Sequence, residues 1–485
     1  MLSTKTGITF LSIACLSITL AGCAVGPDYQ RPALEVPADF REMPGWKLAQ
    51  PRADQRRGDW WAIYGDVALD ELMSQLNAQN QDIRAAEARY RQARALVRNA
   101  RAGFLPNVGA NGAVTRGSAN FSSSTTSTIT DVTGRIETER DAMLDASWEL
   151  DVWGRVRREV EASTATALAS LGDLEGARLS AQAELAINYF QLRVLDARQQ
   201  LFTRTLAAYE KSLQITENRY AVGVASRADV VQAQAQLYAA QAEALDNRVQ
   251  RTQLEHAIAV QLGKPPSAFA LAPMPIADEV TALAGLSVPI IPSVLPSELL
   301  ERRPDVAAAE QRVMAANADI GVAQAAYYPT LSLGASGGYR STSATDWLSA
   351  PNRYWSVGPA LAMTLFDGGR RSAEKERAEA AYDETVAGYR QSVLTAFQEV
   401  EDNLVAARLL EEQAQVQDAA VTASRKAVEI LNNQYRAGKA GYLEVVTAQT
   451  TALANERQAL QVLGQRYSAS VLLVRAAGGG WSQEH

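Results

Sequence analysis

The sequence predicts a mainly α-helical fold with a smaller β-barrel part, laid out as two copies of one unit: helix–strand–strand–long helix–helix. Three observations carry this. The stretches 155–220 and 370–435 contain no proline and are rich in Ala, Leu, Glu, Arg and Gln, residues that keep rotamer freedom on a helix and do not compete for its backbone hydrogen bonds. At ~1.5 Å per residue each would be roughly 100 Å long, far beyond the ~8–20 residues of an ordinary globular helix. Second, segments ahead of both stretches place large apolar residues at every other position, the period of a strand with two unlike faces. Third, the chain repeats itself. Asp82-Ile83-x-Ala85-Ala86-Glu87-x-Arg89 returns as Asp305-Val306-x-Ala308-Ala309-Glu310-x-Arg312. Ala102, Phe104 and Pro106 return as Ala325, Tyr327 and Pro329. Farther on, Gly154-Arg155 returns as Gly369-Arg370, and Asn218-x-Tyr220-x-x-Gly223 as Asn433-x-Tyr435-x-x-Gly438. The spacing shortens by eight residues between the strands, where a loop absorbs length cheaply.

Taken in order, residues 1–22 read as a signal peptide: Lys5 supplies a thin positive region, and Ile8 to Leu20 an apolar run too short for a comfortable membrane helix. The run ends in Leu20-Ala21-Gly22-Cys23, which resembles the bacterial lipobox and implies cleavage before an acylated Cys23; an ordinary signal peptide with a cysteine near its cleavage point is the plainer alternative. Cys15 would leave with the signal, so Cys23 would have no internal disulfide partner. Residues 23–68 then form a lipidated N-terminal segment, irregular and proline-rich to about residue 57.

The first repeat spans 69–263. It opens with a helix over about 69–103, followed by strands over about 106–117 and 141–151. In the second strand Ala142, Leu144, Ala146, Trp148 and Leu150 alternate with Asp141, Met143, Asp145, Ser147, Glu149 and Asp151. Its length suits a tilted membrane strand of ~9–11 residues, and the same pattern fits a soluble hairpin with one wet face. The tip between the strands, 118–139, is Ser/Thr-rich and reads as a mobile extracellular loop, as does 342–353. The long helix 155–220 is stopped by Gly223, and Ser226-x-x-Asp229 fits the capping box of a returning helix.

A connector, 264–296, holds seven prolines and cannot be helical. The second repeat, 297–477, has strands at about 329–341 and 354–366 and its long helix at 370–435. Gly438 ends that helix, and Gly441-x-x-Glu444 starts the return. Residues 478–485 are a tail. The weakly apolar surfaces of the long helices suit a cylinder of packed helices, with a solid two-helix coiled coil as the plainer alternative. Membrane strands cannot leave an edge unpaired. Four strands per chain fall short of the ~8 of the smallest barrels, so the barrel would be shared between chains.

Composition excludes several classes. The chain is 47% hydrophobic and 21% charged with net charge −7, which argues against nucleic acid as a partner. His256 and His485 are the only histidines, too few for a zinc cluster or a His-activated nucleophile. There is no Gly-x-x-x-x-Gly-Lys-Ser/Thr loop for a nucleotide. No enzyme and no cofactor is expected.

The lipobox, Gly26-Pro27-Asp28-Tyr29-Gln30-Arg31-Pro32, Trp60-Trp61, Asp70-Glu71-Leu72, Asn80-Gln81-Asp82-Ile83-Arg84 and the closing Gly478-Gly479-Gly480-Trp481 together give a chain that resembles the outer-membrane efflux lipoproteins of tripartite drug pumps, the TolC-like, NodT-type family. The resemblance covers essentially the whole mature chain. It implies a homotrimer with a shared β-barrel and a periplasmic α-helical barrel, anchored by lipid in the bacterial outer membrane. The implied partners are a periplasmic adaptor and an inner-membrane proton-driven transporter, and the implied function is passive export of small toxic compounds or drugs. An exit duct for type I protein secretion is the alternative within transport, and a non-conducting lipid-anchored helical spacer the alternative outside it. Ala24 stands where an inner-membrane lipoprotein tends to have Asp. The resemblance also places a periplasmic gate at the helix tips. Asp229 and Glu444 stand six residues after Gly223 and Gly438, and Tyr220 and Tyr435 three before them. Two departures weaken an Arg–carboxylate latch: Ala440 and Thr447 occupy positions where family members have a gate arginine and a further gate acid. Asp229 and Glu444 would also serve as plain helix-start acids. Asp145 and Glu149 are expected to form a lumenal acidic face, since charge facing lipid is costly.

Overall fold

The computed structural model describes residues 24–33, 58–121, 132–274 and 303–479. The signal peptide, Cys23, the loop core 122–131, most of the connector and the end of the tail lie outside the described residues. The described elements are α1 (Val67–Gln79), α2 (Gln81–Ala102), β1 (Asn107–Phe121), β2 (Val132–Leu150), α3 (Arg155–Ala221), α4 (Arg227–Gln261), α5 (Pro304–Ala325), β3 (Thr330–Ser341), β4 (Arg353–Ala362), α6 (Arg370–Arg436) and α7 (Tyr442–Ala476). The two long helices are each 67 residues, and the two that return are each 35. The chain divides into two compact units, one built from 1–33, 91–169 and 310–388, the other from 34–90, 170–309 and 389–485.

The first unit contains one four-stranded antiparallel sheet in the order β1-β2-β3-β4. Its register explains the alternation. Val108 pairs with Ala146, Ala146 with Ala335, and Ala335 with Val357; Ala110, Leu144, Gly337 and Trp355 form the next row. Because side chains alternate with period two, the apolar positions of all four strands fall on one face, and Val108, Leu144, Leu333, Trp355, Val357 and Leu361 are exposed there. The opposite rows are polar, such as Gly109, Asp145, Ser336 and Ser356.

Two strand expectations change. The hairpin β1–β2 is longer than its pattern suggested: β2 starts at Val132 and pairs out to Phe121 of β1, so residues 118–121 and 132–139 of the expected mobile loop are strand. Conversely β4 ends at Ala362, not near 366. Thr330 is the first residue of β3 and pairs with Ala362, so the alternating residues beyond it have no ladder to join. Asp367 instead accepts from the backbone N–H groups of Gly369 (3.1 Å) and Arg371 (3.2 Å), turning the chain into α6.

The second unit has an aromatic core: Trp60, Tyr64, Leu69, Met73 and Leu76 pack with Leu185, Tyr189, Phe190, Ile258, Tyr467 and Val471. Phe190 stacks on Tyr467 with centroids 4.4 Å apart. Buried polar groups in this core are paired. The Trp60 indole donates to Gln182 Oε1 (3.1 Å), Tyr64 shares a hydrogen bond with Ser470 (2.8 Å), and Tyr189 donates to Asp66 (2.5 Å). The other oxygen of Asp66 caps α1 through Ala68 N and Leu69 N. The single helix expected over 69–103 is two helices. Asn80 adopts an extended backbone (ψ 129°), its side-chain oxygen accepts from Asp82 N and Ile83 N, and its amide donates to Gln261 O (2.8 Å). An N-cap asparagine tied to a neighbouring helix end outweighs continuous helix propensity.

Candidate functional site

The polar sheet face carries the predicted lumenal acids, and most of its charge is matched. Arg155 forks onto Glu149 (2.8 and 2.9 Å), Arg157 meets Asp151 (3.2 Å), and Arg340 meets Asp141 (3.3 Å). Tyr354 also donates to Asp141 (3.1 Å). Asp145 differs, because its hydrogen-bond partner is the neutral amide of Asn111 (2.6 Å). Among the described residues of this face, Asp145 is thus a carboxylate with no ion pair, beside acids that have one. Glu149 lies on the polar face with Asp145 and is half of a bidentate ion pair. The alternation revealed the face. It could not reveal that Arg155, just past a Gly at the helix start, reaches back to it.

The Gly-Pro-Asp-Tyr-Gln-Arg segment has a defined seat in the first unit. Val25 N donates to Trp153 O (3.0 Å), and Asn317 donates to Pro27 O (2.9 Å). Arg158, which is buried, donates to Val25 O and Gly26 O (both 3.3 Å) and to Asp28 (2.9 Å). Tyr29 (3.2 Å) and Arg31 (2.7 and 2.9 Å) converge on Glu310. Gly26 has φ +105°, and a Cβ there would sit 2.5 Å from Gly321 Cα, so both the conformation and the close approach demand glycine. Sequence reasoning missed Arg158, Asn317 and Glu310. A usable signal existed in the repeat itself: Glu310 answers to Glu87, but Glu310 is buried whereas Glu87 is exposed and 3.5 Å from Arg178.

The helix tips belong to the second unit. Gly223 and Gly438 both have φ +75° and close alike: Gly223 N donates to Tyr220 O (2.9 Å) and Gly438 N to Tyr435 O (3.0 Å), while Val224 N and Lys439 N reach Arg219 O and Gln434 O. This is the glycine-terminated helix end with two closing hydrogen bonds. Asp229 forms the expected capping box: it accepts from Ser226 N (2.8 Å), and its own N–H donates to Ser226 Oγ (3.2 Å). Glu444 reaches Gly441 N at 3.4 Å, a weaker cap because glycine offers no side chain in return. Tyr435 is 5% exposed. Its hydroxyl shares a hydrogen bond with Thr216 (3.2 Å), its ring lies 5.5 Å from Tyr442, and the Arg219 guanidinium stacks 4.4 Å above it. Tyr220 is exposed, with Arg227 6.0 Å from its ring. Tyr435 thus meets a threonine and an arginine inside the chain rather than Asp229 or Glu444. Arg219 was missed because only positions after the second glycine were searched for a gate arginine.

A four-stranded sheet with one largely apolar exposed face, in a chain that also carries two helices of 67 residues, defines a membrane-sheet protein rich in long helices. The model of the family described as outer membrane efflux protein matches residues 72–264 and 295–479, and the chain belongs to that family. It is an outer-membrane exit duct of a tripartite efflux pump. Relatives span its length. It is 33% identical to the outer membrane protein OprJ of Pseudomonas aeruginosa over 481 residues, covering 98% of this chain and 96% of the relative. It is 32% identical to the toluene efflux pump outer membrane protein TtgF of Pseudomonas putida, covering 97% of each. The solved structure of the outer-membrane channel OprN matches with a TM-score of 0.82 at 31% identity, over 95% of this chain and all of that one.

Proposed function

We propose that three copies of this chain close a shared membrane β-barrel and align their long helices into a periplasmic tunnel. A periplasmic adaptor and a proton-driven inner-membrane transporter would complete the pump, with the N-terminus held by acylated Cys23. The observation that carries this is the sheet: its lipid-suited face runs across all four strands, yet among the described residues β1 pairs only with β2 and β4 only with β3. Unpaired ladder edges are not tolerated in hydrocarbon, so neighbouring chains must supply the missing partners. Two tandem copies of an ancestral unit explain the equal helix lengths. The cargo is a set of small, toxic organic compounds, the class to which the toluene named for TtgF belongs.

The tip forms the closed end. Tyr435 and Arg219 lock the two helix ends of one chain together, and Asp229 and Glu444 recur around the mouth in each copy. Like charges so placed must take up counter-ions or protons, or be held apart. Reconstitution in planar bilayers tests the whole reading: the purified protein should give discrete channels, and a deletion strain should lose resistance to small organic toxins. A protein that inserts without conducting would leave only the spacer function.

A further inference from the structure

The second unit contains an open-sided cavity of about 800 Å³ between α3, α4 and α7, within the ~300–1,000 Å³ range of small-molecule sites. Two features set it apart from a packing defect between helices. It holds two guanidiniums, Arg198 and Arg457, whose charges lie 5.8 and 6.0 Å from the centroid of the same buried Phe202 ring. It is also edged by glutamines: Gln253, Gln458, Gln461 and Gln465 line it and make no hydrogen bond to other described residues.

The two arginines are not equivalent. Arg457 donates to Glu243 (2.6 Å). Arg198 has no ion pair among the described residues, and its Nε is buried with no hydrogen-bond partner. Burial, then the neighbouring Arg457 charge, hold its guanidinium below the ordinary range, and Glu243 and Asp246 offset only part of this. Asp246 itself accepts from Gln250 (2.7 Å). A buried donor left unmade is costly, more so for a charged group, and a planar guanidinium fork matches a carboxylate best.

We propose that this cavity binds an organic carboxylate, with Arg198 forking onto the carboxyl oxygens, Arg457 adding long-range attraction, and the glutamine amides holding a polar edge of the ligand. Val194, Leu195, Leu254 and Leu460 supply the apolar wall for its hydrocarbon body.

The experiment is titration calorimetry on the full-length protein in detergent, comparing naphthalene-2-carboxylate with its uncharged isostere naphthalene-2-carboxamide. The carboxylate should bind at least tenfold more tightly, and added chloride should weaken it. Arg198→Gln should erase that preference and Arg198→Lys should keep part of it. Gln461→Glu, at an exposed position that does not threaten folding, should weaken the carboxylate and spare the carboxamide. Equal affinity of the two ligands, no carboxylate binding to the wild-type protein, or a preference that survives both Arg198→Gln and Gln461→Glu would overturn the proposal.

Discussion

Glu310 and Arg31 form an ion pair whose two halves sit in different surroundings, and that difference makes a quantitative prediction. The Glu310 side chain is 9% exposed and that of Arg31 39%. Removing the acid, Glu310→Ala, leaves an arginine that is already partly in water. The loss is then that of charge-assisted hydrogen bonds, ~1.5–3 kcal/mol in general, and partial exposure reduces it to about 1–2 kcal/mol. Removing the base, Arg31→Ala, instead leaves a buried carboxylate whose remaining hydrogen bond among the described residues is from the Tyr29 hydroxyl. Stranding one member of a fully buried pair costs ~3–5 kcal/mol, and the remaining hydrogen bond brings this to about 2–4 kcal/mol. The double variant should return to about 1–2 kcal/mol, because the stranded charge is gone. The readout is hydrogen exchange at the Val25 amide, which donates to Trp153 O only while the segment is seated. At tenfold per ~1.4 kcal/mol, exchange should quicken by roughly tenfold for Glu310→Ala and about a hundredfold for Arg31→Ala, then slow again in the double variant. Additive effects, or a larger effect from the acid than from the base, would refute the assignment of the burden to Glu310 burial.

Further outcomes follow from the same geometry. Cation selectivity in a planar bilayer should fall with Asp145→Asn and barely change when Glu149→Gln is combined with Arg155→Gln, since that pair is neutral as a unit; equal effects would contradict the pairing. Asp229→Ala with Glu444→Ala should raise single-channel conductance while costing about 1 kcal/mol per cap, and thermal destabilisation at constant conductance would leave the acids as caps alone. Asn80→Ala should lower the melting temperature by removing the α2 cap and the tie to Gln261. Cys23→Ser should abolish metabolic labelling by palmitate.

The helix-and-strand plan was readable because it rests on local periodicity. Glycines ending proline-free runs mark the tips, and the β2 alternation identifies one face without any knowledge of its neighbours. What was hidden depends on partners distant in sequence. The end of β4 is set by where β3 begins, the break at Asn80 by a carbonyl of Gln261, and the seat of the Gly-Pro-Asp-Tyr segment by Arg158 and Glu310. Arginine placement was the least legible feature. A long flexible side chain such as Arg155, Arg158 or Arg219 serves whichever carboxylate or ring the fold brings near, and spacing along the chain does not say which.

The two open edges of the sheet also govern how the protein reaches the membrane. On the shared barrel proposed above, a chain that does not complete its own ladder gains little by inserting alone, and insertion awaits encounter with other copies. Its rate should therefore climb faster than in proportion to the concentration of newly exported chains. Until that encounter, the apolar face carrying Leu144, Trp355 and Val357 stands in water beside unpaired strand edges, a combination that invites wrong association. Cells that export this protein slowly would lose a disproportionate share of it before assembly, so holding chaperones and synthesis rate, rather than the stability of the finished duct, would limit how much reaches the outer membrane.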